Sequence, residues 1–314
     1  MGWGAVPGRA GDGWSVRPQR GARMGAERDT STQHMKGRSS KPKPRGQRAN
    51  REGRVWLWVA GIVFAVVVIV GFRLMMPQSG SLDSDLRAAL IDQLSPSLPN
   101  DGFRSSVVDC VEEFGLPVDV YEGDAVDVGL YRSLGRQNYG ALVIRSHSGI
   151  LELEGEETQR VTALFTNEPY SQSQHVSEQL LDRLLIVRPF EEDAELTFGV
   201  TPKFVLQSME GRLPRTIVIV AGCSILGRTD LAEALIARGA SVVISWDRSV
   251  GLAHVDEATA VLVRHLLSDR MTVERAVVAT IAEMGPDPDY GASLRFYPPA
   301  AGTHTAEELL AGAA

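Results

Sequence analysis

Beyond its first 84 residues, the chain alternates between short apolar runs and segments whose apolar residues recur every three or four positions. Runs rich in Val and Ile, such as "ALVIRS" at 141–146 and "TIVIVAG" at 216–222, are typical of strands buried on both faces of a parallel sheet. Segments such as "RTDLAEALIARG" at 228–239 predict amphipathic helices between them. Residues 85–300 are therefore predicted to form a doubly wound α/β domain, with a mainly parallel sheet and helices on both faces.

The same pattern predicts the individual elements. Asp101, Thr229 and Thr272 are expected as helix N-caps, with Gly115 and Gly239 just past two helix ends. The predicted strands are 88–92, 118–121, 141–146, 216–222 and 241–246, and the predicted helices are 101–115, 127–137, 228–239, 256–269 and 272–285.

Residues 150–214 lack clean helical crossovers and alternate apolar with acidic positions. This pattern predicts an insertion of short strands or hairpins around one helix, 173–183, beside the main sheet and over its loop end. Residues 301–314 are expected to be a C-terminal tail.

An uncharged run of 18 residues, "VWLWVAGIVFAVVVIVGF" at 55–72, precedes the domain. Its length nearly spans a bilayer core, and Arg73 can extend it by snorkelling. We therefore expect a single transmembrane helix over 55–76, followed by a polar linker, 77–84.

The net charge of the chain has opposite signs on the two sides of this run. Residues 1–54 carry 13 Lys and Arg against 4 Asp and Glu, a net of +9, whereas residues 77–314 carry 18 against 35, a net of −17. The positive-inside rule places the basic tail in the cytoplasm and the domain outside it. The tail's composition predicts disorder, and anionic lipid is its expected partner.

The acidic domain makes nucleic acid an unlikely partner. The excess of Arg over Lys, 28 against 4, suggests a prokaryotic source.

Only two cysteines are present, Cys110 and Cys223. Two cysteines give no disulfide framework and no C-x-x-C metal cluster, and no metal or cofactor is expected. Cys110 shares the apolar face of its predicted helix with Val107 and Phe114, so we expect it to pack in the core.

Reactive residues follow two of the predicted strands. His147 comes after "ALVIRS", and Cys223 comes after "TIVIVAG". Ligands of open parallel sheets bind at the carboxyl ends of the strands, and the ends of adjacent strands lie about 5 Å apart. If these strands are neighbours, an imidazole and a thiol meet, which is the arrangement that a Cys/His hydrolase needs. The imidazole and a nearby helix N-terminus would raise the thiolate fraction, and a backbone N–H near Gly149 or Gly222 would stabilise an oxyanion.

The two blocks resemble caspase-like cysteine peptidases, and "VIVAGCSILGRTDLAEALIARGASVVISW" resembles bacterial CHAT domains most closely. The resemblance covers about residues 141–149 and 215–284. It implies a caspase-like α/β fold, with His147 as general acid/base and Cys223 as nucleophile in peptide-bond hydrolysis. The chain departs from the family pattern at Ser148, which separates His147 from Gly149.

Three residues near the predicted strand ends are candidates for a substrate pocket. Asp247 would favour a basic side chain before the scissile bond, and Arg145 would favour an acidic one. Trp246 ends the strand that precedes Asp247. The sequence leaves the choice between Asp247 and Arg145 open.

These features predict a membrane-anchored cysteine peptidase that acts on proteins or peptides. One alternative is a catalytically inactive caspase-like domain that serves as an anchored protein- or peptide-binding module. A second is a glutaminase-type hydrolase, in which His254 or His265 would be the partner of Cys223, although His265 has the pattern of a surface position. The oligomeric state is left open.

Overall fold

The computed structural model describes residues 85–153, 159–189 and 195–312. The predicted tail, the predicted membrane span over 55–76 and the linker lie outside these residues. Among the residues that are described, no helix is both long and apolar enough to cross a bilayer.

The described residues form ten strands in two sheets. The strands are β1 (Arg87–Asp92), β2 (Val118–Glu122), β3 (Tyr139–Arg145), β4 (Ser148–Leu153), β5 (Gln159–Pro169), β6 (Leu184–Val187), β7 (Thr197–Val200), β8 (Ile217–Ala221), β9 (Val242–Trp246) and β10 (Leu294–Tyr297). The larger sheet has the order β10-β9-β8-β3-β1-β2, and only β10 runs antiparallel to its neighbour. The predicted α/β class with a mostly parallel sheet is thus confirmed.

Helices lie on both faces of this sheet. The α-helices are α1 (Asp101–Phe114), α2 (Val128–Ser133), α3 (Val176–Leu180), α4 (Pro202–Gln207), α5 (Asp230–Ala237), α6 (Leu252–Val263), α7 (Val273–Met284) and α8 (Ala306–Ala311). Short 3₁₀ turns occupy Gly123–Ala125 and Pro299–Thr303, and a π-helical turn, Arg264–Ser268, follows α6.

The alternation of side chains along each strand builds two cores. In β1, Ala88 and Leu90 face a core shared with α1, α6, α7 and α8, whereas Ala89 and Ile91 face a core shared with α2, α4 and α5. Because both faces of the strands are buried, they have near-continuous apolar sequences. Cys110 is half-buried and packs against the first of these cores.

The segment predicted as an insertion forms a second, antiparallel sheet with the order β4-β5-β7-β6. Its β4 begins directly after His147, and its β5 reaches the end of β1. There the side-chain amide of Asn167 donates hydrogen bonds to the carbonyl oxygens of Gln93 (3.0 Å) and Gly123 (2.9 Å). The second sheet therefore lies at the carboxyl end of the main one.

Several local expectations differ from the structure: residues 150–214 hold two helices, α3 and α4, where one was predicted, and the helix predicted over 256–269 begins at Leu252. The N-cap of α1 is Asn100, whose side chain accepts a hydrogen bond from the N–H of Phe103, and Asp101 is the first helical residue. Asparagine and aspartate are both good N-caps, so the sequence alone does not separate Asn100 from Asp101.

The C-terminal residues do not form a tail throughout, because α8 buries Leu309 and Leu310 against the main sheet's core.

Candidate active site

The site is built at the ends of two adjacent parallel strands, β3 and β8. Arg145 and Ala221, their last residues, are partners in the register. The pairing continues one step further, where the N–H of Ser146 donates to the carbonyl oxygen of Ala221 over 3.1 Å. His147 and Cys223 each lie two residues past this matched pair, so the fold brings the two predicted catalytic residues to the same edge.

The chain turns sharply after β8, and Gly222 permits it. A Cβ atom at Gly222 would lie 2.6 Å from both the carbonyl oxygen of Ser146 and the hydroxyl oxygen of Ser148. Ser224 then takes a left-handed conformation, with φ of 59°. Such a conformation is uncommon for a residue with a side chain, and here it turns the chain so that the N–H of Ser224 donates to the carbonyl of Arg248. The turn leaves Cys223 at the tip of the strand.

His147 is fixed through its backbone. Its N–H donates to the side-chain oxygen of Gln93 (2.9 Å), and its carbonyl accepts from the N–H of Phe165 (3.0 Å). The half-buried imidazole faces the ring of Phe165, with 6.1 Å between the ring centroids. Contacts from the residue that follows β1 and from the middle of β5 therefore set the position of this residue.

The Cys223 thiol is half-buried and its sulfur lies 3.9 Å from the carbonyl oxygen of Val250. Burial is the main cause that raises the pKa of this thiol, and the nearby carboxylate of Asp287 raises it further. The sequence-based expectation of an increased thiolate fraction is therefore wrong for the resting protein. A thiol in this environment keeps its proton at neutral pH.

Cys223 and His147 line one cavity of about 340 Å³, which we call the dyad cavity. Its floor is formed by the strand ends, and its walls come from the segment after β1, the segment after β9 with the first turn of α6, and the loop before β10. The lining residues are Leu94, Leu98, Ser146, His147, Ala221, Gly222, Cys223, Ser249, Val250, Leu252, Val255 and Tyr290. The volume is at the lower end of the range of about 300–1,000 Å³ for small-molecule pockets.

Asp287 is a residue of this region that the sequence analysis did not single out. It is 2% exposed, and its carboxylate accepts hydrogen bonds from the N–H groups of Gly251 (2.9 Å) and Tyr290 (2.6 Å). Burial opposes its ionisation, but these bonds, the nearby His254 and a backbone hydrogen bond from Ala292 together lower the pKa of Asp287. The carboxylate thus connects two walls of the dyad cavity. The only signal in the sequence is an acid within the turn-rich stretch "GPDPDYG".

Arg145 is not a substrate-pocket residue. Its side chain is 1% exposed and lies beneath the floor, with hydrogen bonds to the carboxylates of Asp92 (2.9 Å) and Asp256 (2.7 and 2.9 Å) and to the carbonyl of Leu98. The guanidinium also stacks over Phe103 at 5.6 Å. Arg145 is still paired with β8, since the pairing continues to Ser146, so its side chain lies below the end of the sheet. Its charge is neutralised there.

Asp247 and Trp246 also lie away from the dyad cavity. Asp247 accepts hydrogen bonds from the N–H of Ser293 (2.8 Å) and the guanidinium of Arg295 (3.3 Å), and it lines a different, open cavity beside the start of α5. Trp246 is buried and packs edge-on against His254, with 5.3 Å between their centroids. Trp246 is the last residue of β9 and Asp247 directly follows it, and neither residue lines the dyad cavity.

Of the remaining candidate residues, one lines the dyad cavity and the others do not. Gly222 lines the dyad cavity, whereas Gly149 lies in β4 opposite Ala163 and does not line it. The histidines of the glutaminase-type alternative, His254 and His265, do not line it either. His265 is buried rather than at the surface, and its ring nitrogens contact Asp269 and Glu283.

In comparisons with known proteins, no family model matches this chain and no curated protein matches it.

Proposed function

We propose that this chain is a membrane-anchored cysteine peptidase of the caspase-like type, in which Cys223 attacks the peptide carbonyl and His147 transfers the proton. One observation carries the proposal: the two residues occupy matched positions beyond paired strand ends and line the same cavity. A nucleophile and an adjacent base are the central requirement of covalent acyl transfer. The caspase-like assignment is supported by the order of the two strands, since the strand followed by His147 precedes the strand followed by Cys223, and by their adjacency.

The proton begins on the thiol, because burial raises the pKa of Cys223. As the sulfur bonds to the carbonyl carbon, the carbonyl electron pair moves to the oxygen and the thiol proton passes to the imidazole of His147. Collapse of this intermediate breaks the C–N bond, and His147 gives the proton to the leaving amine. Water then attacks the thioester with His147 as base, which releases the carboxylic acid and restores the thiol.

The test is hydrolysis of a fluorogenic peptide library by the full-length chain in detergent micelles. We expect turnover by the wild type, none by Cys223→Ser, and a loss of about 100-fold or more for His147→Gln, since a positioned acid/base contributes about 10²–10⁴ in rate. Cys110→Ser, the matched control at the other cysteine, should retain full activity. Turnover that survives in Cys223→Ser, or that is absent from every variant, contradicts the proposal.

The inactive binding module is the second candidate, and the raised pKa of the half-buried Cys223 thiol favours it. It predicts that peptides bind in the dyad cavity without being cleaved. Titration calorimetry would then give equal peptide affinities for the wild type and Cys223→Ala, and no cleaved peptide would be found in the calorimeter sample afterwards. Product formation by the wild type rejects this candidate.

We further propose that residues 55–76 span the membrane once, with the basic tail in the cytoplasm and the domain outside. The uncharged run and the net charge of +9 before it support this orientation. The full-length chain should remain with membranes after a carbonate wash, and a chain without residues 1–76 should be released. External protease on intact cells should remove the domain and spare the tail. Protection of the domain instead would overturn the orientation.

A further inference from the structure

We infer that the dyad cavity selects a substrate by an uncharged, apolar side chain next to the scissile carbonyl. This inference rests on the peptidase proposal and specifies its substrate class. It replaces the expectation that Asp247 or Arg145 selects a charged side chain, because neither residue lines the cavity.

The first support is the chemistry of the walls. Leu94 and Leu98 come from the segment after β1. Val250 lies between β9 and α6, and Leu252 and Val255 lie in the first turn of α6. Of the described residues that line the cavity, no side chain is Asp, Glu, Lys or Arg. A charged group that enters such a site loses its hydration without gaining an ionic partner, whereas an aliphatic group gains by leaving water.

The second support is that two charges buried beside the cavity, those of Arg145 and Asp287, already have partners. The guanidinium of Arg145 is neutralised by two buried carboxylates, Asp92 and Asp256, under the floor. The carboxylate of Asp287 accepts hydrogen bonds from the N–H groups of Gly251 and Tyr290 behind the walls. Recruiting either charge for a substrate would require breaking buried hydrogen bonds, which is costly in a low-dielectric site.

The cavity also lies directly beside the reacting atoms. Its floor contains Cys223, and the carbonyl of Val250, a wall residue, lies against the thiol sulfur. A side chain seated between these walls would belong to the residue whose carbonyl is attacked. Selectivity for that side chain then appears in the rate of acylation.

The experiment uses peptidyl acyloxymethyl ketones that differ only in the side chain next to the reactive carbonyl: leucine, norleucine, arginine or aspartate. Alkylation of Cys223 in the full-length chain is followed by intact mass, with Cys223→Ser as the blank. We expect the leucine and norleucine probes to react at least ~10-fold faster than the arginine and aspartate probes, as hydrophobic pockets discriminate by about 10–200-fold.

A substitution in the wall of the cavity should reverse the preference for an apolar side chain. Leu252 is 37% exposed at the first position of α6, where an acid is also favoured by the helix dipole, so Leu252→Asp should fold. It should slow the leucine probe and accelerate the arginine probe, whereas Leu180→Asp, at a site that is 79% exposed and outside the cavity, should change neither.

The outcomes separate the two proposals. If the arginine or aspartate probe is fastest in the wild type, or if Leu252→Asp leaves the ranking unchanged, apolar selection is wrong and the peptidase proposal stands. If no probe labels Cys223, both proposals fall together. Fastest labelling by the aliphatic probes, with the ranking shifted by Leu252→Asp, supports both.

Discussion

The Ser148 hydroxyl donates a hydrogen bond to the backbone carbonyl of Cys223 across 2.8 Å. Ser148 is fully buried and begins β4, the first strand of the second sheet, and it directly follows His147. The position of Cys223 therefore depends on the residue next to its proposed catalytic partner. The space for this contact exists only because Gly222 has no side chain.

Gly222→Ala should destabilise the fold by about 1–3 kcal/mol, the usual cost of overpacking a dense interior. Its Cβ would be forced to within 2.6 Å of the carbonyl oxygen of Ser146, a backbone atom in the strand ladder, and of the Ser148 hydroxyl. Urea unfolding of the full-length chain measures the difference. Gly149→Ala is the matched control, because nothing lies within 4 Å of its Cβ position, and it should change stability by no more than ~0.5 kcal/mol. Equal effects of the two substitutions would contradict this account of the turn.

Asp287→Asn should shift the alkylation of Cys223 to lower pH. The carboxylate of Asp287 raises the pKa of the thiol, so removing its charge lowers that pKa and increases the thiolate fraction at neutral pH. Iodoacetamide labelling between pH 6 and 10, followed by peptide mapping, gives the profile. Asp289→Asn changes an exposed acid of the same loop and should leave the profile in place. A profile unmoved by Asp287→Asn would show that the two groups do not interact.

The stability of the same variant should depend on pH in a defined direction. The pKa of Asp287 is lower in the folded chain than in the unfolded one, so its contribution is present above the unfolded value, about 3.9, and is lost as the pH falls through the folded value. The difference in unfolding free energy between wild type and Asp287→Asn should therefore shrink below about pH 4. A difference that grows on acidification would contradict the hydrogen bonds assigned to this carboxylate.

The meeting of His147 and Cys223 could be predicted because it depends on regular structure. Buried Val and Ile runs identify β3 and β8, and the direction of parallel strands puts both of their ends at one edge. The adjacency of the two strands was an assumption of that argument, and the pairing of β3 with β8 confirms it.

Arg145 shows what the sequence could not settle. A cationic residue at the end of an apolar strand has the same sequence pattern whether its side chain enters the cavity or is buried beneath the cavity floor. Its partners, Asp92 and Asp256, are 53 and 111 residues away, and nothing local connects the three. Asp247 was mispredicted as a pocket residue for a related reason, because its partners are Ser293, just before the antiparallel strand β10, and Arg295 within it.

Arg145→Met should destabilise the fold by about 3–5 kcal/mol, the usual cost of removing one partner from a buried ionic cluster. The substitution leaves the carboxylates of Asp92 and Asp256 without their cation. Burial already raises the pKa of Asp92, and loss of the guanidinium would raise it further. The deficit should accordingly be smaller at pH 5 than at pH 8, where the carboxylate must stay ionised. Unfolding in urea at both pH values measures it.

Lys203→Met provides the comparison for Arg145, because its pair with Asp182 is exposed at both ends. Exposed pairs contribute about 0–1 kcal/mol, and the effect should not depend on pH in this range. If the two substitutions cost the same, the cluster around Arg145 does not contribute to stability as a buried ionic network.

Asn100→Ala should cost about 1–2 kcal/mol, because Asn100 has two roles in the structure. Its side-chain oxygen caps α1 by accepting from the N–H of Phe103 (3.0 Å), and its amide donates to the carboxylate of Asp256 (2.8 Å). Asp101→Ala should cost no more than ~0.5 kcal/mol, since Asp101 is exposed and is not the cap.

Asn100→Asp separates the two roles. Aspartate retains the capping oxygen, but it replaces the amide donor with a second carboxylate beside Asp256, so the repulsion should make the loss greater at pH 8 than at pH 5. Urea unfolding of the three variants at both pH values tests this order. If Asp101→Ala costs more than Asn100→Ala, the helix begins where the sequence first suggested, and Asn100 does not link α1 to the buried cluster under the dyad cavity.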